Sequence, residues 1–197
     1  MKLRYIPNMI TALRLLMIIP FFYYIIERKY SAALCVFILA SLSDGIDGFL
    51  ARKFQWQTKL GAFGDPLADK LLITVSYITL TYIRQLPLWF TLLMVSRDAI
   101  IIMGTGVWYY LFRSIKFTPT LLSKINTVFQ LLLVISILYQ LSFQLLPAFI
   151  IMYLIAITTA TTSLSFADYV IRWTIKAYKK YHEPQEPKAV KWNNNLD

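Results

Sequence analysis

Residues 44–69 read DGIDGFLARKFQWQTKLGAFGDPLAD. Apolar sequence lies on both sides of a polar middle, Lys53-Phe54-Gln55-Trp56-Gln57-Thr58-Lys59-Leu60, and four acids bracket that middle: Asp44, Asp47, Asp65 and Asp69. Asp44 and Asp47 are spaced i, i+3, and Asp65 and Asp69 i, i+4, so on helices each pair shares one face. A single continuous helix would keep the two pairs ~27 Å or more apart at about 1.5 Å per residue. A turn at about Trp56 instead folds the chain back, setting Asp44 opposite Asp69 and Asp47 opposite Asp65. All four carboxylates then fall in one layer, roughly 13–18 Å along the helices from the turn.

Outward from this stretch, the chain is dominated by apolar sequence. Of its 197 residues 58% are hydrophobic and 15% charged, and the mean hydropathy is +0.57. A typical soluble domain has roughly 45–50% apolar and about 25% charged residues. That balance excludes a disordered tail, a collagen-like fibre and an ordinary soluble enzyme, and points to a chain dissolved in lipid. Twenty Lys and Arg against ten Asp and Glu give a net charge of +10. The charges sit between apolar runs, and no RNA- or DNA-binding motif appears, so the excess reads as contact with lipid headgroups rather than nucleic acid. Cys35 is the only cysteine. One thiol makes neither an internal disulfide nor a cysteine metal cluster, and Cys35 is expected to be a small buried hydrophobe.

The expected fold class is an all-α integral membrane protein: six transmembrane helices with a polar active-site cavity near the cytoplasmic interface. The spans read as approximately 9–27, 31–52, 61–83, 87–112, 121–143 and 147–171, each close to the 20 or so residues that cross ~30 Å of hydrocarbon. Pro87 and Pro147 suit first-turn positions, and Pro20 and Pro66 fall inside spans. The first span is read as a true span. It is too long for a signal peptide and lacks a clean cleavage site, and no Arg-rich presequence precedes it. With the N-terminus in the cytoplasm, inside segments hold Lys2, Arg4, Lys53, Lys59, Arg113, Lys116 and the basic run from Arg172 to Lys191. Outside segments hold only Arg28, Lys29 and Arg84. Both termini are therefore expected to be cytoplasmic, in a bacterial inner membrane. Two parts follow: a catalytic membrane domain over 1–182, and a polar tail over 183–197 with Pro184, Pro187 and an Asn run at 193–195. The Arg172–Lys191 run is expected to meet anionic lipid. Trp56, Trp89 and Trp173 read as interfacial anchors.

Carboxylates inside a membrane are costly. At ~2.5–3.5 kcal/mol each on insertion scales, four uncompensated charges would cost on the order of 10–14 kcal/mol at the bilayer centre, which rivals the ~5–15 kcal/mol stability of a whole domain. Something must neutralise them. Four carboxylates without histidine or cysteine suit hard divalent cations, Mg²⁺ or Mn²⁺, with two ions plausible. The competing reading is a set of ion pairs with Arg52, Lys70 and Arg97. Gly45, Gly48, Gly61 and Gly64 let backbones approach closely; for Gly45 and Gly64, room for a flat ligand is an equal reading.

Written out, the stretch is Asp44-x-x-Asp47-Gly48-x-x-Ala51-Arg52-x8-Gly61-x3-Asp65-x3-Asp69. It resembles the signature of the CDP-alcohol phosphatidyltransferase family at every spacing, and the six-span reading agrees with that family over most of the chain. The resemblance implies phosphatidyl transfer from a CDP-linked donor to an alcohol, with release of CMP. It implies Asp44, Asp47 and Asp65 as metal ligands, and Asp69 as both ligand and general base. Gly48, Ala51 and Gly61 would border the cytidine, and Arg52 would meet the diphosphate. A homodimer is implied by resemblance only.

Three further stretches bear on the alcohol: Pro7-Asn8-Met9-Ile10-Thr11-Ala12-Leu13-Arg14, Ser96-Arg97-Asp98, and Thr118 to Gln130, which reads TPTLLSKINTVFQ. The first resembles two groups of the family, those that make phosphatidylglycerophosphate and those that make cardiolipin. The other two resemble the cardiolipin-forming group, which implies CDP-diacylglycerol as donor and phosphatidylglycerol as acceptor. The alternative acceptor is glycerol 3-phosphate. Both carry a phosphate, so the acceptor pocket should be basic, and Arg97, Lys124, Arg14 and Asn126 are its candidate residues; the competing readings are pairing of Arg97 with Asp98 or with the carboxylate cluster, and, as an equal reading for Asn126, a helix–helix contact. The phospholipase D-type route to cardiolipin needs paired histidines, and this chain has only His182. A divalent-cation transporter is the reading from another class, weakened by the lack of an internal repeat.

Overall fold

The computed structural model describes the backbone of residues 6–53, 59–112 and 121–182, with side chains over 12–43, 70–104, 106 and 121–175. The described residues form six α-helices and no strand: α1 (Ile6–Ile26), α2 (Tyr30–Lys53), α3 (Lys59–Tyr82), α4 (Leu88–Phe112), α5 (Leu121–Phe143) and α6 (Ala148–His182). Each of the six expected spans is matched by one helix. α6, at 35 residues, runs past the expected end near 171. Its extension, from Arg172 to His182, is polar but contains neither Gly nor Pro, so nothing in it stops a helix once the apolar run has ended.

Three connections are tight and share one device. Arg28, Arg84 and Gln144 all have left-handed backbone, with φ of 57°, 62° and 55°. After α1, Lys29 N–H donates to the Tyr24 carbonyl (2.8 Å) and Arg28 N–H to that of Ile25 (3.0 Å). After α3, Gln85 N–H donates to Leu80 (2.9 Å) and Arg84 N–H to Thr81 (2.9 Å). These are Schellman closures, which satisfy the last carbonyls of a helix and turn the chain sharply. After α5, Gln144 N–H donates to the Gln140 carbonyl (2.8 Å), and the Leu146 N–H is taken by Gln140 Oε1 (2.6 Å). Pro87 and Pro147 stand just ahead of their helices, where their carbonyls accept the first helical bonds, from Phe90 (3.1 Å) and Ile150 (3.0 Å). Such short turns make α1–α2, α3–α4 and α5–α6 antiparallel hairpins.

Among the described residues the helices pack as a ring: α1 on α2, α2 on α5, α5 on α6, α6 on α4, α4 on α3, and α3 back on α1. α3 also meets α5 across the ring. The expected pairing of α2 with α3 is thus incomplete where side chains are described. Both helices pack chiefly on α1 and only sparingly on each other, and the proposed turn at Trp56 lies outside the described residues.

The bundle is apolar at the end of the tight turns. Phe21 and Phe37 lie with ring centroids 5.6 Å apart, and Tyr77 meets Phe90 edge-on at 5.5 Å. Towards the opposite end the interior becomes polar, with Arg14, Arg97, Asn126, Thr158, Thr162 and Ser165 all buried. The outside is the reverse: Leu16, Ile19, Leu92, Met103, Phe149 and Met152 are exposed. Apolar outside and polar inside is the pattern lipid imposes, because only helix–helix contacts can satisfy polar groups there. By length and composition alone, α5 and the Ala148–Ile175 part of α6 could cross a membrane, and only 17% of the most apolar window of α6 is buried, unlike the core helix of a soluble protein. Ala12–Ile26 and Tyr30–Ser43 are shorter apolar stretches. Cys35 is exposed on α2 and not buried as expected. On a helix bathed in lipid, an outward apolar side chain carries no penalty.

Candidate active site

The four aspartates of the motif divide between two helices. Asp44 and Asp47 belong to the C-terminal half of α2, and Asp65 and Asp69 to the N-terminal half of α3. Their side chains, with those of Gly48, Ala51, Arg52 and Gly61, lie outside the described residues. Among the described residues no group of three acidic, histidine or cysteine side chains could hold a metal. The donor chemistry of the quartet itself is all carboxylate oxygen, which fits Mg²⁺ or Mn²⁺ and not a soft metal.

The described side chains of α3 begin at the next residue, Lys70. Lys70 Nζ lies 3.0 Å from Asp98 Oδ1 on α4, and the same oxygen accepts from Arg97 Nη1 at 2.6 Å. Arg97 Nη2 donates to Ser165 Oγ on α6 at 2.7 Å. One acid therefore joins α3 to α4, and one guanidinium joins α4 to α6. Of the three cations that the sequence offers as counter-ions to the quartet, Arg52 lies outside the described side chains, and Lys70 and Arg97 both turn to Asp98. The Arg97 side chain is 8% exposed, and its Nε is buried without a hydrogen-bond partner among the described residues.

Beside this cluster runs a polar seam of which the sequence reading named Asn126 but not the hydroxyls of α6. Asn126 Oδ1 on α5 accepts from Thr162 Oγ1 (2.7 Å) and Thr161 Oγ1 (3.0 Å) on α6. Thr162 Oγ1 also lies 3.2 Å from Met94 Sδ, and Gln130 Nε2 3.5 Å from the same sulfur. Tyr77 OH donates to the Gln130 carbonyl at 3.4 Å, linking α3 to α5. Asn126 Nδ2 and Thr158 Oγ1 are buried with no partner among the described residues. An unmet buried donor costs ~1–3 kcal/mol. The signal was present in the sequence: Thr158, Thr162 and Ser165 recur at i, i+4 and i+7, one helical face.

Of the four expected acceptor-site residues, the structure places two in one neighbourhood. Arg97 and Asn126 are joined through Ser165 and Thr162, one turn apart on α6. Arg14 is fully buried on α1. Lys124 is exposed, since two residues from Asn126 is about 200° around the helix. Trp173, expected as an interfacial anchor, is half-buried and seats its ring against Gly104, where an added Cβ would stand 3.0 Å from it. Trp89 is exposed, and Trp56 lies outside the described residues.

A bundle of this kind, with the Asp-x-x-Asp…Asp-x-x-x-Asp pattern divided between two helices, matches the family model of the CDP-alcohol phosphatidyltransferases over residues 4–163, and the chain belongs to that family. It is a membrane protein. Among its relatives are the human and rat proteins named cardiolipin synthase (CMP-forming), each 35% identical over 182 residues. Each match covers 83% of this chain and 60% of the relative, so this chain spans well under the relatives' full length. An Aquifex aeolicus protein named CDP-diacylglycerol–glycerol-3-phosphate 3-phosphatidyltransferase is 29% identical, over 88% of this chain and 96% of its own length.

Proposed function

We propose that the protein moves a phosphatidyl group from CDP-diacylglycerol to phosphatidylglycerol, giving cardiolipin and CMP. The observation that carries the choice of acceptor is that identity to the human cardiolipin synthase holds at 35% over 83% of this chain, whereas glycerol-3-phosphate enzymes are 29% identical over 88% of it (Aquifex aeolicus) or reach 36% and 40% only over 68% and 49% of it (Wigglesworthia glossinidia and Pseudomonas fluorescens).

Asp44, Asp47, Asp65 and Asp69 would hold Mg²⁺ or Mn²⁺, two ions, supplying polarisation of the donor's phosphoryl oxygens and compensation of the charge that develops on departing CMP. Asp69 also serves as general base. It takes the proton of the acceptor hydroxyl while that oxygen bonds to the diacylglycerol-bearing phosphorus, and the bond from this phosphorus to the CMP oxygen breaks with its electron pair. Gly48, Ala51 and Gly61 leave room for the cytidine, and Arg52 meets the diphosphate. On the acceptor side, Arg97 and Asn126 retain buried N–H groups without described partners, which suits a ligand rich in acceptor oxygens such as a phosphodiester. Arg14 and Lys124 complete the candidate set.

The six helices are six membrane spans in this reading. The excess of Lys and Arg in the segments at the aspartate end puts that end, and both termini, in the cytoplasm. We assign the protein to a bacterial inner membrane, as a homodimer, with residues 183–197 as a cytoplasmic tail and the Arg172–Lys191 run against anionic lipid.

The test is CMP release by the purified chain with CDP-diacylglycerol, Mg²⁺ and each acceptor supplied separately. Cardiolipin formed with phosphatidylglycerol is the expected result. Product with glycerol 3-phosphate alone would establish the second reading, which the near-complete coverage of the Aquifex relative favours.

A further inference from the structure

Asp98 is where the cations beside the site are gathered. Its Oδ1 takes Lys70 Nζ at 3.0 Å from α3 and Arg97 Nη1 at 2.6 Å from its own helix. Lys70 directly follows Asp69 on α3. A flexible ammonium one residue from a carboxylate needed by a divalent ion is a competitor for that carboxylate, because both draw on the same oxygen lone pairs. Arg97 is a second cation, held by the same Asp98 oxygen. With only 14% of its side chain exposed, Asp98 is poorly hydrated, so its attraction for both cations is little screened.

We propose that Asp98 is a positioning residue: by engaging Lys70 and Arg97 it keeps these cations off the aspartate quartet and leaves the quartet free for divalent ions. Asp98 itself touches neither ion nor substrate. The inference rests on the reading of the quartet as the cation site. Asp98 also links α3 to α4 at the residue beside Asp69, so losing its charge releases Lys70 at the point where displacement matters most.

The experiment is Mn²⁺ binding to the purified full chain in detergent, followed by the paramagnetic resonance signal of the free ion. Size exclusion and circular dichroism confirm that each variant is folded. Wild type is compared with Asp98→Asn, Lys70→Gln, the double variant Asp98→Asn/Lys70→Gln, and Asp44→Asn/Asp47→Asn. Asp98→Asn should weaken Mn²⁺ binding by roughly tenfold or more, the scale on which one adjacent charge biases a carboxylate. Adding Lys70→Gln should recover a large part of that loss, a rescue that damage to the fold would not give. Wild-type affinity in Asp98→Asn, with binding abolished in Asp44→Asn/Asp47→Asn, would overturn the positioning role and leave the quartet reading intact. Undiminished binding in Asp44→Asn/Asp47→Asn would sink the quartet reading and the proposal with it. If Asp98→Asn does not fold, Lys70→Gln alone decides: binding tighter than wild type supports the proposal, and binding equal to or weaker than wild type refutes it.

Discussion

Replacing Arg97 by lysine keeps one positive charge beside Asp98 and removes the guanidinium fork. In the structure Nη1 donates to Asp98 (2.6 Å), Nη2 to Ser165 (2.7 Å), and Nε has a hydrogen with no described partner. A lysine nitrogen can keep the first contact. It cannot also keep the other two, because they leave the planar group in different directions. Loss of the Ser165 bond is a cost to the fold, and measured bonds of this type between membrane helices average ~0.6 and reach ~1.7 kcal/mol. Loss of the Nε hydrogen is a cost to the acceptor if Arg97 reads its phosphate. A hydrogen bond to a charged group contributes ~1.5–3 kcal/mol, and one decade in rate corresponds to about 1.4 kcal/mol. The expected result is a fall of roughly 10- to 150-fold in kcat/KM for phosphatidylglycerol, with the KM for CDP-diacylglycerol unchanged. Mixed micelles in which the two lipids are varied independently give both constants, and thermal unfolding in the same detergent reports the Ser165 term separately. An unchanged kcat/KM for phosphatidylglycerol beside a lowered melting temperature would refute the acceptor role and leave Arg97 as a strut between α4 and α6.

Other substitutions test other parts of the argument. Asp69→Asn should abolish turnover while CDP-diacylglycerol binding, followed by calorimetry, is retained; loss of folding would instead make Asp69 structural. EDTA should stop the reaction and Mg²⁺ or Mn²⁺ restore it, and activity that survives chelation would contradict the metal assignment. Gly104→Ala sets a Cβ 3.0 Å from the Trp173 ring, while Gly106→Ala meets nothing within 4 Å. The helix-propensity gain is common to both, so Gly104→Ala should unfold at lower temperature than Gly106→Ala by the overpacking term alone, ~1–3 kcal/mol. Thr81 and Thr91 oxygens lie 2.6 Å apart between α3 and α4. Cysteines at both positions, in a Cys35→Ser background, should cross-link without loss of turnover, and a loss reversed by reductant would show that this end of the bundle moves during catalysis.

The helices were legible because lipid makes hydropathy decisive. Expected spans 31–52 and 121–143 became Tyr30–Lys53 and Leu121–Phe143. Hydropathy marks a span and not a helix end: the apolar run read as 147–171 lies in α6, which continues as an unbroken polar helix to His182. The tight turns were legible as short but not in their geometry, since Arg28, Arg84 and Gln144 are not residues that announce left-handed backbone. The ring order was invisible too, because which apolar faces meet depends on packing rather than pattern. At the site, the motif named its aspartates through their spacing, and Arg97 drew notice as a candidate for a basic acceptor pocket. That Lys70 would turn to Asp98 on another helix could not be read from either residue. The Thr158, Thr162 and Ser165 face was overlooked because hydroxyls in a membrane helix usually bond back to their own backbone, as Ser142 does to the Leu138 carbonyl at 2.7 Å.

The two ends of the bundle divide the work between them. At the end of the tight turns, Phe21, Phe37, Tyr77, Leu80 and Phe90 are buried to within about 1%, and the turns leave little slack between paired helices. At the other end the interior is held by ion pairs and hydroxyls. Lipid gives helices no hydrophobic drive to associate, so close packing must supply most of the cohesion, and here the aromatic end supplies it. The polar end is then free to leave donors such as Asn126 Nδ2 unmet, at a cost of ~1–3 kcal/mol each that a fully polar interior could not carry. If the site takes in a nucleotide-bearing lipid and a second lipid, as we propose, it needs such groups, since donors already satisfied within the protein have nothing to offer an incoming phosphate. The separation of a packed end from a polar one lets one small bundle be both stable in lipid and receptive to charged headgroups.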